Sequence, residues 1–274
     1  MSRPRQVVVV TGMGGMGAAI ARRIGTGATV IIADSDERLL EAEAGSLAAT
    51  GYDVVSHVVD VSLKDSVEAL AAEAAARGPV NAVVHTAGVS PVQAAVDAII
   101  RVDLVGTALM LDAFGRVMNA GGAGVFISSM AGTMATLDPE FERALASTPT
   151  EHLAGLHQLS PGRIADPGTA YVVAKRANQV RVRPASLVWG RRGARVNTIS
   201  PGIISTAMGA SELDGPSGET MRAMIAGSGT GRIGTPQDIA GVVDFLISRD
   251  ADFITGTDVL VDGGVVASLR VPES

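Results

Sequence analysis

The chain has 274 residues, 47% of them hydrophobic but only 3% aromatic, with a net charge of −6 and no cysteine. That composition fills one large aliphatic core and excludes disulfides, thiolate catalysis and cysteine-bound metals. The four histidines, at 57, 85, 152 and 157, have no metal-ligand spacing, and with no basic run longer than two residues a nucleic-acid surface is not expected.

In chain order the pattern alternates. QVVVVTG (6–12) is a β-branched, fully apolar run closed by glycine, which reads as a buried strand. GAAIARRIG (17–25) follows with helical spacing and a glycine stop. The next strands are 28–34, 53–61 and 80–88. Between them run helices at 36–50, capped by Asp36, and at 62–78, opened by Ser62 and closed by Gly78. A long helical stretch over 91–119 leads to strand 122–129. A last strand-helix-strand set occupies 194–202, 235–248 and 256–264. Strands alternating with helices predict an α/β fold, a doubly wound parallel sheet of about seven strands. No linker divides it, so residues 1–274 read as a single domain.

One segment, 133–168, breaks the rhythm. It carries two helix starts, Asp138-Pro139 and a Thr148-Pro149-x-Glu151 capping box, and reads as a helical insertion. At the other end, MSRPRQVVVVTG starts basic but its apolar run is too short for a secretory signal, and nothing approaches 18 consecutive apolar residues. A cytoplasmic protein with no membrane partner is expected.

Chemistry first appears in TGMGGMG. Gly12, Gly14 and Gly17 fit G-x-G-x-x-G between a strand and a helix, where main-chain amides and the helix N-terminus meet a pyrophosphate. The second strand ends in Asp34, 22 residues after Gly12. A carboxylate there accepts both ribose hydroxyls of NAD and repels the 2′-phosphate of NADP, so NAD is the expected cofactor. Further on, YVVAK places Lys175 four residues after Tyr171. The chain has only two lysines and two tyrosines, against 20 arginines. A free phenol, with a pKa of about 10, is a poor base at neutral pH, and a nearby ammonium lowers it. Lysine is a compact charge whose donors also reach a ribose diol.

The ordered series TGMGGMG, Asp34, DV (60–61), HTAG (85–88), ISSMAG (127–132), YVVAK, NTISPGIIST (197–206) and TGTDVLVDGG (255–264) resembles the short-chain dehydrogenase/reductase family over nearly the whole chain. The resemblance implies a Rossmann-type fold. It implies Asp60 and Val61 at the adenine, and Thr86, Ala87 and Gly88 on the adenosine ribose side. Ser129 would polarise the substrate oxygen and Tyr171 would be the general acid/base. Lys175 would bind the nicotinamide ribose. Ile204 and Thr206, after Pro201 and Gly202, would hold the carboxamide. The implied activity is NAD(H)-dependent interconversion of an apolar secondary alcohol and ketone, in a homodimer or homotetramer. An NAD(H)-binding regulatory protein without turnover is the alternative. The enoyl-reductase relatives space Tyr and Lys more widely than the three residues seen here.

Three departures from the family pattern stand out. The glycine signature is one residue short of T-G-x-x-x-G-x-G, and Met16 stands where glycine is usual. HTAG replaces N-N-A-G, with His85 read as a buried, hydrogen-bonded strand residue. VDLVG replaces V-N-x-x-G, so Asp103 takes the position of an asparagine in the proton relay. Its side chain either faces Lys175 and opposes the phenolate, or turns away. The 42-residue gap from Ser129 to Tyr171 is similar to the bacterial 3α-hydroxysteroid dehydrogenase/carbonyl reductase branch. The insertion is then a pocket wall or part of a subunit interface. Residues 208–234, rich in Gly, Ser and Met, read as a lid over an apolar substrate.

Overall fold

A computed structural model describes residues 5–271 apart from Gln93 and Pro161. The two ends of the 1–274 reading, the basic start and Pro161 of the insertion lie outside the described residues. Seven parallel strands form one sheet in the order β3-β2-β1-β4-β5-β6-β7. They are β1 Val7–Thr11, β2 Thr29–Asp34, β3 Asp53–Val58, β4 Val80–His85, β5 Met118–Ile127, β6 Arg195–Pro201 and β7 Asp258–Val261.

β1 explains the layering. All five of its residues are buried, and alternate side chains leave opposite faces of a strand. Val8 and Val10 join a cluster with Ile20, Leu40 and Ile239. Val7 and Val9 join another with Leu70, Phe114 and Trp189. Burying each such valine stabilises by roughly 1.5–3 kcal/mol relative to exposure. Helices α1 (Gly15–Ile24), α2 (Glu37–Ala49) and α3 (Lys64–Arg77) alternate with the first four strands. Asp36 caps α2 by accepting from the amides of Arg38 and Leu39.

Three local readings of the sequence are corrected. Ser62 does not cap α3, because its amide and hydroxyl both donate to Asp60 Oδ1, leaving Leu63 as the N-cap. The helix read over 91–119 begins only with α4, Val96–Ile99. It passes through a π-helical segment, Ile100–Gly106, and resumes as α5, Thr107–Val117. β5 then starts at Met118, which pairs with Val80 across an irregular register. Such π segments recur where a helix must aim a functional side chain, and this one carries Asp103.

After α6 (Met130–Met134), the insertion contributes α7 (Pro139–Ser147) and α8 (Thr150–Leu153) before the long α9, Pro167–Gly190. Asp138 caps α7. The Thr148 capping box does not form: α8 starts after Pro149 with no side-chain cap. Thr148 is instead the C-cap of α7, its amide donating to the Ala144 carbonyl at 2.9 Å, and Arg181 of α9 ties this corner down. Its guanidinium donates to the carbonyls of Leu145 and Thr148 at 2.8 and 2.9 Å and to Thr150 Oγ1 at 3.2 Å, while Thr150 donates to Asp112. Arg176 pairs with Glu142 through two nitrogens. Phe141, Leu145 and Leu153 are buried with Ile99, Leu104 and Val173 in a third cluster. The insertion thus docks on α9 and α4.

After β6 come α10 (Ala207–Leu213) and α11 (Gly218–Gly227). They are followed by α12 (Pro236–Ile247), with a Thr235–Asp238 capping box, and, beyond β7, α13 (Val265–Arg270). Among the described residues no helix is long and apolar enough to cross a membrane.

Candidate active site

Two hollows meet at the carboxyl edge of the sheet. The first, of about 240 Å³, lies where the strand order reverses between β1 and β4, the usual ligand position in a doubly wound sheet. Gly12, Gly14, Met16 and Asp34 line one side. Asp60, Val61, Thr86, Ala87 and Gly88 line the other, and Thr206 closes one end.

The glycine loop is tightly built. Gly12 has φ +84°, and a Cβ at Gly17 would lie 1.8 Å from the Gly12 carbonyl oxygen. Gly17 therefore permits the turn from behind and does not line the hollow. Asp34 ties the loop to β2, accepting the Met13 amide at 2.6 Å and the Asp36 amide at 3.0 Å. Gly15 opens α1 directly after Gly14 as N-cap, and Met16 is half-buried and packs on the core. Gly15 lines the hollow and was not singled out in the sequence, although the Gly14-Gly15 pair was the available signal.

The second hollow is larger, about 390 Å³. Ser129, Tyr171, Pro201, Gly202, Ile204 and Thr206 line it, together with six of the ten methionines. Of residues 133–168, only Met134 is among the described lining residues. The bulk of the insertion is therefore not a wall of this cavity.

Tyr171 sits one turn into α9, whose start is fixed by Asp166 accepting from the Thr169 amide and hydroxyl. Ser129 caps α6, its hydroxyl accepting the Ala131 amide at 3.1 Å, and it lines the hollow together with Tyr171. Lys175 Nζ lies 5.3 Å from the Tyr171 ring centre. It lines neither hollow and is buried 3.5 Å from Asp103 Oδ2. Asp103 is fully buried; its Oδ1 accepts the Val89 amide at 2.8 Å. Its Oδ2 makes an ion pair rather than a close hydrogen bond. Of the two orientations open to Asp103 from sequence, the structure has the one facing Lys175. A Cβ at Gly88 would lie 3.0 Å from Asp103 Oδ1 and 3.2 Å from Lys175 Nζ, so the pair adjoins the first hollow.

Burial pushes the Tyr171 phenol above its ordinary value, and the charges of Asp103 and Glu212 push the same way; Lys175 and the Ser129 hydroxyl oppose them. Burial works against the charge on Lys175, but Asp103 and Tyr171 more than offset it, so the ammonium is held above its usual range. Burial also raises the Asp103 carboxyl against the pull of Lys175 and the Val89 amide.

His85 completes a buried chain behind the pair. Its ring nitrogens face Thr11 at 2.7 Å and Thr107 at 3.2 Å. Thr107 gives its proton to the Asp103 carbonyl, so it accepts from His85 Nε2–H. Burial and the Lys175 charge push His85 down to about 3, which keeps the ring neutral.

The family model described as Enoyl-(Acyl carrier protein) reductase matches residues 10–142 and 156–266. The gap falls inside the insertion. A short-chain dehydrogenase/reductase of Alternaria brassicicola is 39% identical, over 97% of both chains. The chain belongs to the short-chain dehydrogenase/reductase family.

As a member of this family the protein is an oxidoreductase. A D-threitol dehydrogenase of Mycolicibacterium smegmatis is 32% identical, over 94% of this chain and 92% of that one. A 3-alpha-hydroxysteroid dehydrogenase/carbonyl reductase of Comamonas testosteroni is 30% identical, over 67% and 72%. The crystal structure of gox2181 superposes with a TM-score of 0.76 at 26% identity, over 97% of both chains. In this short-chain dehydrogenase/reductase, sequence reasoning also missed Glu212. It lines the second hollow from α10, one turn after Met208. The i, i+4 spacing of Met208 and Glu212 was the signal that could have found it.

Proposed function

We propose that this short-chain dehydrogenase/reductase interconverts a largely apolar secondary alcohol and its ketone, using NAD(H). The observation that carries the reading is the position of Tyr171: it lines a methionine-rich cavity together with Ser129, and the Lys175 ammonium lies 5.3 Å from its ring centre.

The first hollow has the chemistry a dinucleotide requires. A Cβ at Gly14 would meet nothing within 4 Å, so the chain leaves room there for a close main-chain contact. The first-turn amides of α1 would take the pyrophosphate. Asp34 would accept the adenosine ribose hydroxyls. Asp60 and Val61 would hold the adenine, and Thr86, Ala87 and Gly88 would line the ribose side. Lys175 would reach the nicotinamide ribose. Pro201, Gly202, Ile204 and Thr206 would hold the carboxamide end. No Lys or Arg is among the described residues lining this hollow, which supports NAD over NADP. Gly14→Ala should leave the melting temperature unchanged and weaken NADH binding about tenfold or more, measured by calorimetry.

A bound nicotinamide supplies the hydride acceptor for oxidation and the hydride donor for reduction. Tyr171 Oη, as phenolate, takes the hydroxyl proton in oxidation; as phenol, it protonates the carbonyl oxygen in reduction. Ser129 Oγ donates to the substrate oxygen and holds it against Tyr171. The Lys175 ammonium stabilises the phenolate, an effect of roughly 1–3 pKa units at such separations. Asp103 fixes Lys175 and partly cancels that effect. Three residues between Tyr171 and Lys175 favour carbonyl over enoyl chemistry. The intact Ser129, Tyr171 and Lys175 favour turnover over a purely binding role. Phe253 and Leu260, exposed beside edge strand β7, supply apolar surface for the expected homodimer or homotetramer, and the cytoplasm is the expected compartment.

The deciding experiment is a screen of secondary alcohols and ketones at several pH values, with NAD(H) and NADP(H) side by side. Turnover faster with NAD(H) is expected. Faster turnover with NADP(H) would overturn the Asp34 argument, and cofactor binding without turnover across the panel would overturn the enzyme reading.

A further inference from the structure

Glu212 is the single charged side chain among the described residues lining the second hollow. Its neighbours there are methionines, Pro91, Val92, Ile203 and small neutral groups. It is half-buried, and no cation among the described residues forms an ion pair with it. Such a carboxylate is costly unless hydrogen-bond donors compensate it. Burial raises the Glu212 carboxyl, and the Ser90 hydroxyl and the Lys175 charge oppose that rise. Ser90, fully buried, accepts the Val92 amide on its hydroxyl oxygen at 3.3 Å, which leaves its own proton free to donate. Ser90 follows Val89, whose amide binds Asp103. One two-residue segment therefore binds the buried pair through Val89 and favours the Glu212 carboxylate through Ser90. Glu212 is also close enough to the reacting groups for its charge to act on Tyr171 and Lys175.

Building on the proposed alcohol-ketone activity, we infer that Glu212 is a specificity-determining residue that selects substrates whose apolar body carries a second hydrogen-bond donor, a hydroxyl or an ammonium, and rejects anionic ones. The methionine walls accept an apolar body of many shapes, because the thioether chain adapts. They discriminate weakly. A site built to hydrogen-bond a substrate group rejects the analogue lacking it far more strongly, since its own polar atom is left without a partner. An ammonium gains Coulombic attraction as well, whereas a carboxylate meets like charge beside Tyr171.

The test uses the full chain with NAD⁺ and four ring alcohols that differ only in a remote group: cyclohexanol, cyclohexane-1,4-diol, 4-aminocyclohexanol and 4-hydroxycyclohexanecarboxylate. The ratios of kcat/KM are read, in the wild type and in Glu212→Gln and Glu212→Leu. In the wild type the diol and the amine should exceed cyclohexanol by about tenfold or more, and the carboxylate should be the poorest. Glu212→Gln should lose most of the amine advantage and raise the carboxylate relative to cyclohexanol. Glu212→Leu should lose the diol advantage too. Equal ratios across the four substrates, a carboxylate that is best, or ratios unchanged in both variants would overturn the inference and leave the alcohol-ketone reading standing. No oxidation of any of the four by the wild type would overturn both.

Discussion

Tyr171→Phe should lower kcat by about 10³-fold or more while leaving NADH binding and the melting temperature close to wild type. General acid-base groups contribute typically 10²–10⁴-fold, and Tyr171 is the titratable group that lines the second hollow with Ser129 and has Lys175 Nζ 5.3 Å from its ring centre. Phenylalanine keeps the ring that packs on the third cluster and removes only the oxygen to which the proposal assigns the proton. Rapid-mixing measurement of hydride transfer, with NADH binding determined separately, checks the expectation. Turnover within tenfold of wild type would assign the proton to another group.

The second large effect is expected at the buried pair. Asp103→Leu leaves the Lys175 ammonium buried without its counter-charge and the Val89 amide without its acceptor. Breaking a buried pair in this way costs about 3–5 kcal/mol, a fall in melting temperature of roughly 10 °C for a chain of this size. Asp103→Asn separates charge from shape, because an amide oxygen still accepts the Val89 N–H. The negative charge of Asp103 raises the Tyr171 phenol. Removing it lowers that phenol, so the phenolate needed for oxidation forms at lower pH. The acid limb of the oxidation profile should shift down by about one pH unit. An unchanged profile in Asp103→Asn would show that the carboxylate only positions Lys175.

Much of the architecture was legible because its signals are local. The runs VVVVT, TVIIAD and VNAVVH are buried on both faces, and such strands read as continuous apolar stretches. Glycine and aspartate punctuation marked the turn after β1 and the start of α2. Where the reading failed, another partner had taken the group that the signal relied on. Asp60, two residues earlier, engages Ser62, and the Ala144 carbonyl takes the Thr148 amide at the end of α7. The pairing of β5 with β4 took Met118 from the end of the expected helix. A helix pattern read over 91–119 holds no sign of its π-helical turn, whose Ile100 and Leu104 pack with α9 residues from about 70 positions further on.

The same division holds for the site. By itself the sequence determined the alternating strands, the glycine turn, the acidic end of β2 and the presence of Ser129, Tyr171 and Lys175 in order; these depend on residue type and spacing along one chain. It placed an aspartate, Asp103, where the family pattern has an asparagine. Only the tertiary structure decided which way Asp103 points, that the insertion docks on α9 rather than walling the substrate cavity, and that Glu212 enters that cavity. Each of those is a choice between a protein partner and solvent for a polar or apolar group. The free energy of that choice is set by burial and by groups tens of residues distant, which no local pattern encodes.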